Sequence, residues 1–216
     1  MKQKRLQAIC AYLSVQDKMI DVGCDHAYVA IEMARLGMKK VLATDIHEEA
    51  LNIARKNVFR NGLENHISLQ LCDGLEGVKV SDYDTLVIAG MGTSTIMHIL
   101  ANPMKLKSIK KIIIQSNNDL DILRSFMENR SYTLSDETIV EEKKHFYVVM
   151  KYIVGTQKLS SEERYFGLFK KENRKYYLYL EENYNRLLEQ VKDKDHESYQ
   201  KQQQEKEFLS HYIESL

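Results

Sequence analysis

The sequence predicts an α/β fold: a mostly parallel sheet covered on both faces by helices, ended by an antiparallel hairpin and followed by a helical appendage. Three observations predict it. Five apolar runs of strand length alternate with helical patterns from Met19 to Glu128, and such alternation implies parallel neighbours buried on both sides. The alternation then stops, because two β-rich stretches follow with only a short polar segment between them. After Gly155 the composition shifts to Glu, Lys, Gln and Tyr, with one further glycine and no proline.

The elements follow in order. The opening MKQKRLQAICAYL is basic and then partly apolar, interrupted by Gln7, and reads as an amphipathic first helix rather than a cleaved leader. Strands are expected at 19–22, 40–44, 67–71, 85–89 and 112–115, and helices at 28–36, 48–61, 94–100 and 120–128, where apolar residues recur at three- and four-residue spacing. The stretches 132–140 and 146–153 make the hairpin across the polar residues 141–145. A sheet ending in this way matches class I methyltransferases better than dinucleotide-binding dehydrogenases, which usually continue with parallel units. In the appendage, Ser160 and Glu163 have capping-box spacing, and Phe166, Phe169, Tyr176, Leu180, Tyr184, Leu187 and Val191 continue one helix. A second helix is expected over about 196–213, joined to the first by the charged stretch 192–195 as an antiparallel hairpin. The expected domains are 1–156 and 157–216.

Composition excludes several classes. With 216 residues, 31 Lys+Arg against 31 Asp+Glu, 44% hydrophobic and 29% charged, the chain is no stapled mini-scaffold, disordered polyanion or uniformly basic coat. Cys10, Cys24 and Cys72 lie far apart without a CxxC pair, so neither a disulfide framework nor a metal site is expected, and a reducing cytoplasm fits. No apolar run approaches the ~20 residues that cross a bilayer. Residues 157–216 carry 11 Lys+Arg and 12 Asp+Glu, so contact with a nucleic acid would come from local patches. Lys105, Lys107, Lys110 and Lys111 form one, and Lys2, Lys4 and Arg5 another; both also fit ordinary solvated faces.

The chemistry-bearing residues gather at strand ends. Asp21-Val-Gly23-Cys24-Asp25-His26-Ala27 runs from a strand through a turn into a helix, at the sheet edge where α/β proteins bind ligands. Gly23 admits close backbone approach, and Asp21 can face a positive group. The dinucleotide fingerprint needs further glycines where this chain has Cys24, Asp25 and His26, and a carboxylate there repels a pyrophosphate. A cationic, phosphate-free nucleoside such as S-adenosylmethionine suits the turn. Asp45, with Ile46 beside it, ends the second strand about 20 residues beyond the turn, where a carboxylate can accept from ribose hydroxyls. Asp73 ends the third strand and could accept from an adenine amino group, with Gly74 leaving room for the ring. Any one of these acids also fits a helix cap or turn former. Ala89-Gly90-Met91-Gly92 permits a tight turn or a flat ligand, and Gln115-Ser116-Asn117-Asn118 offers amides that can read a base edge.

Asp21-Val-Gly-Cys-Asp-His-Ala-Tyr28, Ala89-Gly-Met-Gly92, Gln115-Ser-Asn117 and the C-terminal helical hairpin together resemble the TrmK family of bacterial tRNA (adenine-N1)-methyltransferases. The resemblance runs the length of the chain and implies a class I fold, S-adenosylmethionine as methyl donor, and methylation of adenine 22 of tRNA. It also implies cofactor contacts at Asp21, Gly23, Cys24, Asp45, Ile46, Asp73, Gly74, Ala89, Gly90 and Met91. Catalytic roles fall to Asp25 and His26, and substrate contacts to Tyr28, Gly92, Gln115, Asn117, Lys105 and Lys107. The chain departs from the family pattern at Thr93, where a glycine is usual, and at Ser116, where a proline is usual. Thr93 is expected to add bulk beside the cofactor turn and Ser116 to free its loop. The helical hairpin becomes a candidate arm for gripping tRNA, with Tyr176, Tyr177 and Tyr179 able either to stack on bases or to form core. A monomer is favoured, with the oligomeric state open. The rival readings are a class I methyltransferase with another acceptor, an idle RNA-binding module and, last, a nicotinamide oxidoreductase.

Overall fold

The continuous apolar runs become the buried strands of one sheet. The computed structural model describes residues 4–156, 158–168, 170–191 and 197–216 and divides into units 1–158 and 159–216. The first unit runs α1 (Lys4–Ala11), β1 (Lys18–Val22), α2 (Tyr28–Arg35), β2 (Lys40–Asp45), α3 (Glu48–Arg60), β3 (Ile67–Leu71), β4 (Thr85–Met91), α4 (Thr93–Ile99), β5 (Lys111–Ser116), α5 (Leu120–Glu128), β6 (Tyr132–Glu142) and β7 (His145–Val154). The strands order as β3-β2-β1-β4-β5-β7-β6, parallel through β5 and antiparallel thereafter. Met19 and Ile20 of β1, Leu86, Val87 and Ile88 of β4 and Ile112, Ile113 and Ile114 of β5 are fully enclosed, which is why these segments read as unbroken apolar runs. Strand order reverses between β1 and β4, so the crevice lies at their carboxyl ends. Helix α1 packs on α2 and on the β6–β7 pair, where Tyr12 Oη meets Thr138 Oγ1 at 2.7 Å.

Two local differences from the expected pattern have simple causes. The hairpin strands reach Glu142 and resume at His145, leaving only Lys143 and Lys144 in the turn, at φ 52° and 66°. Two left-handed residues give the tight hairpin turn that Asn-Gly normally signals; a Lys-Lys pair carries no such signal, so the polar stretch looked longer. Strand β4 runs on to Met91 through a bulge between Ala89 and Met91, and α4 starts at once with Thr93. Between α5 and β6, Arg124 Nη2 and Glu137 Oε2 form a 3.1 Å pair at almost no exposure.

The second unit contains α6 (Ser161–Phe166), α7 (Arg174–Gln190) and α8 (Glu197–Glu214). Ser160 and Glu163 make a complete capping box at the start of α6, about 1 kcal/mol of helix stabilisation. The single long helix expected through Phe166 and Val191 is interrupted, because Gly167 adopts φ 85° and ends α6. Helices α7 and α8 pack on each other. Tyr176 and Tyr177 are buried, and Tyr177 Oη accepts from the Lys170 amide at 3.1 Å. These two rings therefore form core and not a stacking platform, while Tyr179 stays half-exposed. Lys2, Phe169 and the joining stretch 192–195 fall outside the described residues. Among the described residues, no helix is long and apolar enough to cross a membrane.

Candidate active site

The turn after β1 is built from alternating left-handed residues: Gly23 at φ 69°, Asp25 at 48° and Ala27 at 56°. The Cys24 amide donates to the Thr44 carbonyl at 2.9 Å and that of Ala27 to the Cys24 carbonyl at 2.7 Å, so the turn is tied both to β2 and to itself. A Cβ at Gly23 would meet only the Met91 methyl, the far end of a flexible side chain that can move aside, so it is the φ of 69° that calls for glycine there. The left-handed conformation costs Asp25 and Ala27 on the order of 1 kcal/mol each, strain that persists only where surroundings impose it.

Asp45 ties the turn to the end of β2. Its Oδ2 accepts from the Asp25 amide at 3.0 Å and its Oδ1 from the His47 amide at 3.0 Å. Each oxygen keeps a further lone pair, so a buried and already oriented carboxylate can accept two more donors. Asp21 lies deeper, 5% exposed. Burial pushes its carboxyl up to about 7, against a backbone hydrogen bond at Ala30 that pulls down, with Asp45 adding a smaller upward push. The Cys24 thiol is likewise raised, first by burial and then by Asp21 and Asp45, so it is an inert thiol. Asp73 is exposed, and a Cβ on Gly74, at φ 56°, would stand 3.0 Å from Ile99.

These groups line one cleft of about 570 Å³, which takes in Asp21, Gly23, Cys24, Asp25, His26, Tyr28, Asp45, Ile46, Asp73, Gly74, Ala89, Gly90 and Met91. At its mouth Asp25 Oδ2 lies 3.4 Å from His26 Nε2, and the His26 ring stacks on Tyr28 with centroids 5.2 Å apart. Half of Tyr28 is exposed, leaving an aromatic platform beside a carboxylate.

The remaining candidates lie elsewhere. Gln115 is fully buried and donates to the Ser116 carbonyl at 2.9 Å and to Asn117 Oδ1 at 3.1 Å, so its amide is turned inward instead of toward a base. Asn117 is exposed and ties the ends of two strands together, Nδ2 donating to the Gly90 carbonyl at 3.0 Å and its own amide to that of Met91 at 3.0 Å. Gly92 caps α4 outside the cleft lining. Lys105 is paired with Glu76 and donates to the Leu75 carbonyl at 3.4 Å, whereas Lys107 is exposed; neither lines the cleft.

Thr93 and Ser116 behave differently from expectation. The Thr93 hydroxyl is buried, 2.9 Å from that of Ser116 and 2.6 Å from the Asn118 carbonyl, while the Thr93 amide donates to Asn118 Oδ1 at 3.1 Å. Thr93 thus adds no bulk to the cleft, and Ser116 does not free its loop. The two departures from the family pattern meet, and together they latch the β4–α4 turn to the β5–α5 turn.

Sequence reasoning missed Arg5, Leu6 and Ile9 of α1 and Thr44 and His47 beside Asp45, all of which line the cleft. Arg5 was visible only as part of a basic cluster, since nothing in local spacing says that the first helix covers the end of β5. The cleft joins a rigid acceptor carboxylate, three glycines (Gly23, Gly74 and Gly90), a deep acid and an aromatic mouth. That set can hold a positively charged nucleoside and present a flat base to it. Among the described residues, no cluster of His, Cys, Asp and Glu is arranged to hold a metal.

Residues 2–150 match the family described as a methyltransferase domain. The Bacillus subtilis tRNA (adenine(22)-N(1))-methyltransferase is 37% identical over 150 residues, 68% of this chain; the match spans 63% of that relative's length. The solved Bacillus subtilis M1A22 tRNA methyltransferase TrmK superposes with a TM-score of 0.81 at 28% identity, covering 100% of this chain and 98% of that one. The M. capricolum TrmK, in complex with S-adenosyl-homocysteine, gives a TM-score of 0.87 at 28% identity, covering 99% of this chain and 98% of that one. The chain belongs to the methyltransferase-domain family and, within it, to the TrmK family.

Proposed function

We propose that this protein methylates N1 of an adenine in tRNA, at position 22 by its kinship, using S-adenosylmethionine. The observation that carries the reading is the acid-lined cleft at the reversal of strand order, which lacks a phosphate-binding loop yet offers Asp45 with lone pairs to spare. The residues present fit the cofactor: Asp45 for the ribose hydroxyls, Asp73 beside Gly74 for the adenine amine, Gly23 for close backbone approach, and Asp21 as the deep counter-charge to a cation. When bound, the cofactor supplies an electrophilic methyl group on a sulfonium.

The chain's own work is mainly positioning, since adenine N1 is unprotonated at neutral pH and needs no strong base. Orientation of this kind accounts for up to roughly 7–11 kcal/mol in well-aligned systems. His26 and Tyr28 stack on the withdrawn base, whose removal from its tertiary contacts costs a few kcal/mol. Asp25, held at the mouth by the Asp45 bond to its amide, stabilises the positive charge that develops on the ring and takes a proton from the exocyclic amine. The helical unit 159–216 grips the body of the tRNA, which is read by shape, phosphates and 2′-hydroxyls. Cys10, Cys24 and Cys72, which form no disulfide, suit a cytoplasmic protein.

The test is incubation of an unmodified tRNA transcript with methyl-labelled S-adenosylmethionine, followed by primer extension. A methyl on the pairing edge halts extension at adenine 22, and a transcript with guanine there takes up no label. Label without a stop would refute the assignment to N1, and equal labelling of both transcripts the assignment to that nucleotide.

A further inference from the structure

Four carboxylates line the cleft, Asp21, Asp25, Asp45 and Asp73, yet its substrate is a polyanion and its cofactor ends in a carboxylate. Among the described lining residues only Arg5 is a permanent cation. Its guanidinium lies 5.1 Å over the Tyr147 ring, and Nη1 donates to Gln115 Oε1 at a long 3.3 Å. Both supports are rigid: Tyr147 sits on β7, and Gln115 is locked by Ser116 and Asn117. The Arg5 amide is anchored to Glu142 Oε2 at 3.2 Å, and among the described residues no carboxylate forms an ion pair with the guanidinium. An arginine has five donors in a planar fork, and this one spends a single donor on a neutral oxygen. The inward turn of Gln115, which removes it from base reading, is what orients Arg5.

We propose that Arg5 is an oxyanion-binding residue on the rim of the cleft, taking a carboxylate or a phosphodiester by charge-assisted hydrogen bonds; this deepens the proposed function and rests on it. The two sources are the carboxylate of the cofactor's methionine moiety and the backbone of the acceptor nucleotide. Fixing the guanidinium in advance lowers the ordering cost of binding, so the contact should be strong for a partly exposed site.

The experiment compares full-length wild type with Arg5→Gln and Arg5→Met, the second keeping the aliphatic stem over Tyr147. Affinities are measured for S-adenosylhomocysteine, for 5′-methylthioadenosine, which lacks the carboxylate, and for tRNA across a salt series. A cofactor-carboxylate site predicts a roughly ten-fold loss for S-adenosylhomocysteine with 5′-methylthioadenosine unchanged. A phosphodiester site predicts unchanged S-adenosylhomocysteine affinity, with weaker tRNA binding and a log–log salt slope shallower by about one. Arg5→Lys should recover part of either loss. Wild-type affinities retained within two-fold in every arm, by either neutral variant that keeps the wild-type melting temperature, would overturn the proposal while leaving the functional reading intact. A wild type that binds neither S-adenosylhomocysteine nor tRNA would defeat the functional reading itself.

Discussion

Replacing Asp21 by Asn removes a carboxyl that the fold holds in the wrong place for its own stability. Its pKa is 3.8 ordinarily and about 7 here, chiefly through burial. Between these values the folded chain keeps a proton that the unfolded chain has lost, so the stability contribution falls as pH rises through about 4 to 7 and stays at its minimum above. Three units of displacement at 1.36 kcal/mol each put the full penalty near 4 kcal/mol. Asn keeps an acceptor for the Ala30 backbone and carries no charge, though burying its amide hydrogens returns about 1–3 kcal/mol of cost. Thermal unfolding of the two proteins should therefore show an advantage for Asp21→Asn that grows by about 2–3 kcal/mol between roughly pH 5 and pH 8, several degrees for a chain of this size. The order should reverse for cofactor binding: a cation lowers the cost of the ionised carboxylate, so wild-type affinity for S-adenosylmethionine rises with pH through about 7 and the variant's stays flat. A stability difference independent of pH, or a wild-type affinity independent of pH, would refute the reasoning.

Other substitutions probe the remaining parts of the cleft. Asp45→Ala removes both the acceptor for ribose and the tie to the Asp25 and His47 amides; calorimetry should show cofactor affinity down by about ten-fold or more. Asp25→Ala should leave that affinity within a few-fold and lower turnover strongly in single-turnover methyl transfer; unchanged turnover removes Asp25 from the mechanism. Thr93→Val deletes the hydroxyl of the latch and should cost about 1–3 kcal/mol in denaturant unfolding, with Thr93→Ser recovering most of it. Removal of residues 159–216 should spare cofactor binding and weaken tRNA binding, and an undiminished RNA affinity would leave the helical unit without a part in recognition.

The sheet and the acid positions were legible because each rests on a short-range rule. Ile112, Ile113 and Ile114 must be buried wherever they pair, and Asp21, Asp45 and Asp73 follow strand ends that hydropathy locates. What escaped was set by contacts distant in sequence. Arg5 and Gln115 are 110 residues apart, and only the packing of α1 over the sheet tells that one orients the other. Thr93 and Ser116 each looked like a disturbance when read alone, yet their hydroxyls meet. The Lys143-Lys144 turn was hidden because its left-handed pair lacks Gly or Asn. Gly167 was readable as a helix stop, and the strong apolar row on either side of it masked the interruption.

The central claim is that the carboxylates at adjacent strand ends enclose the nucleoside of a cationic methyl donor. A crystal structure of the full chain with S-adenosylhomocysteine tests it most directly. The ribose hydroxyls should lie within hydrogen-bond distance of Asp45, with the adenine beside Gly74 and the amino-acid end above Gly23. A ligand seated outside this cleft, or within it with Asp45 contacting no hydroxyl, would contradict the account.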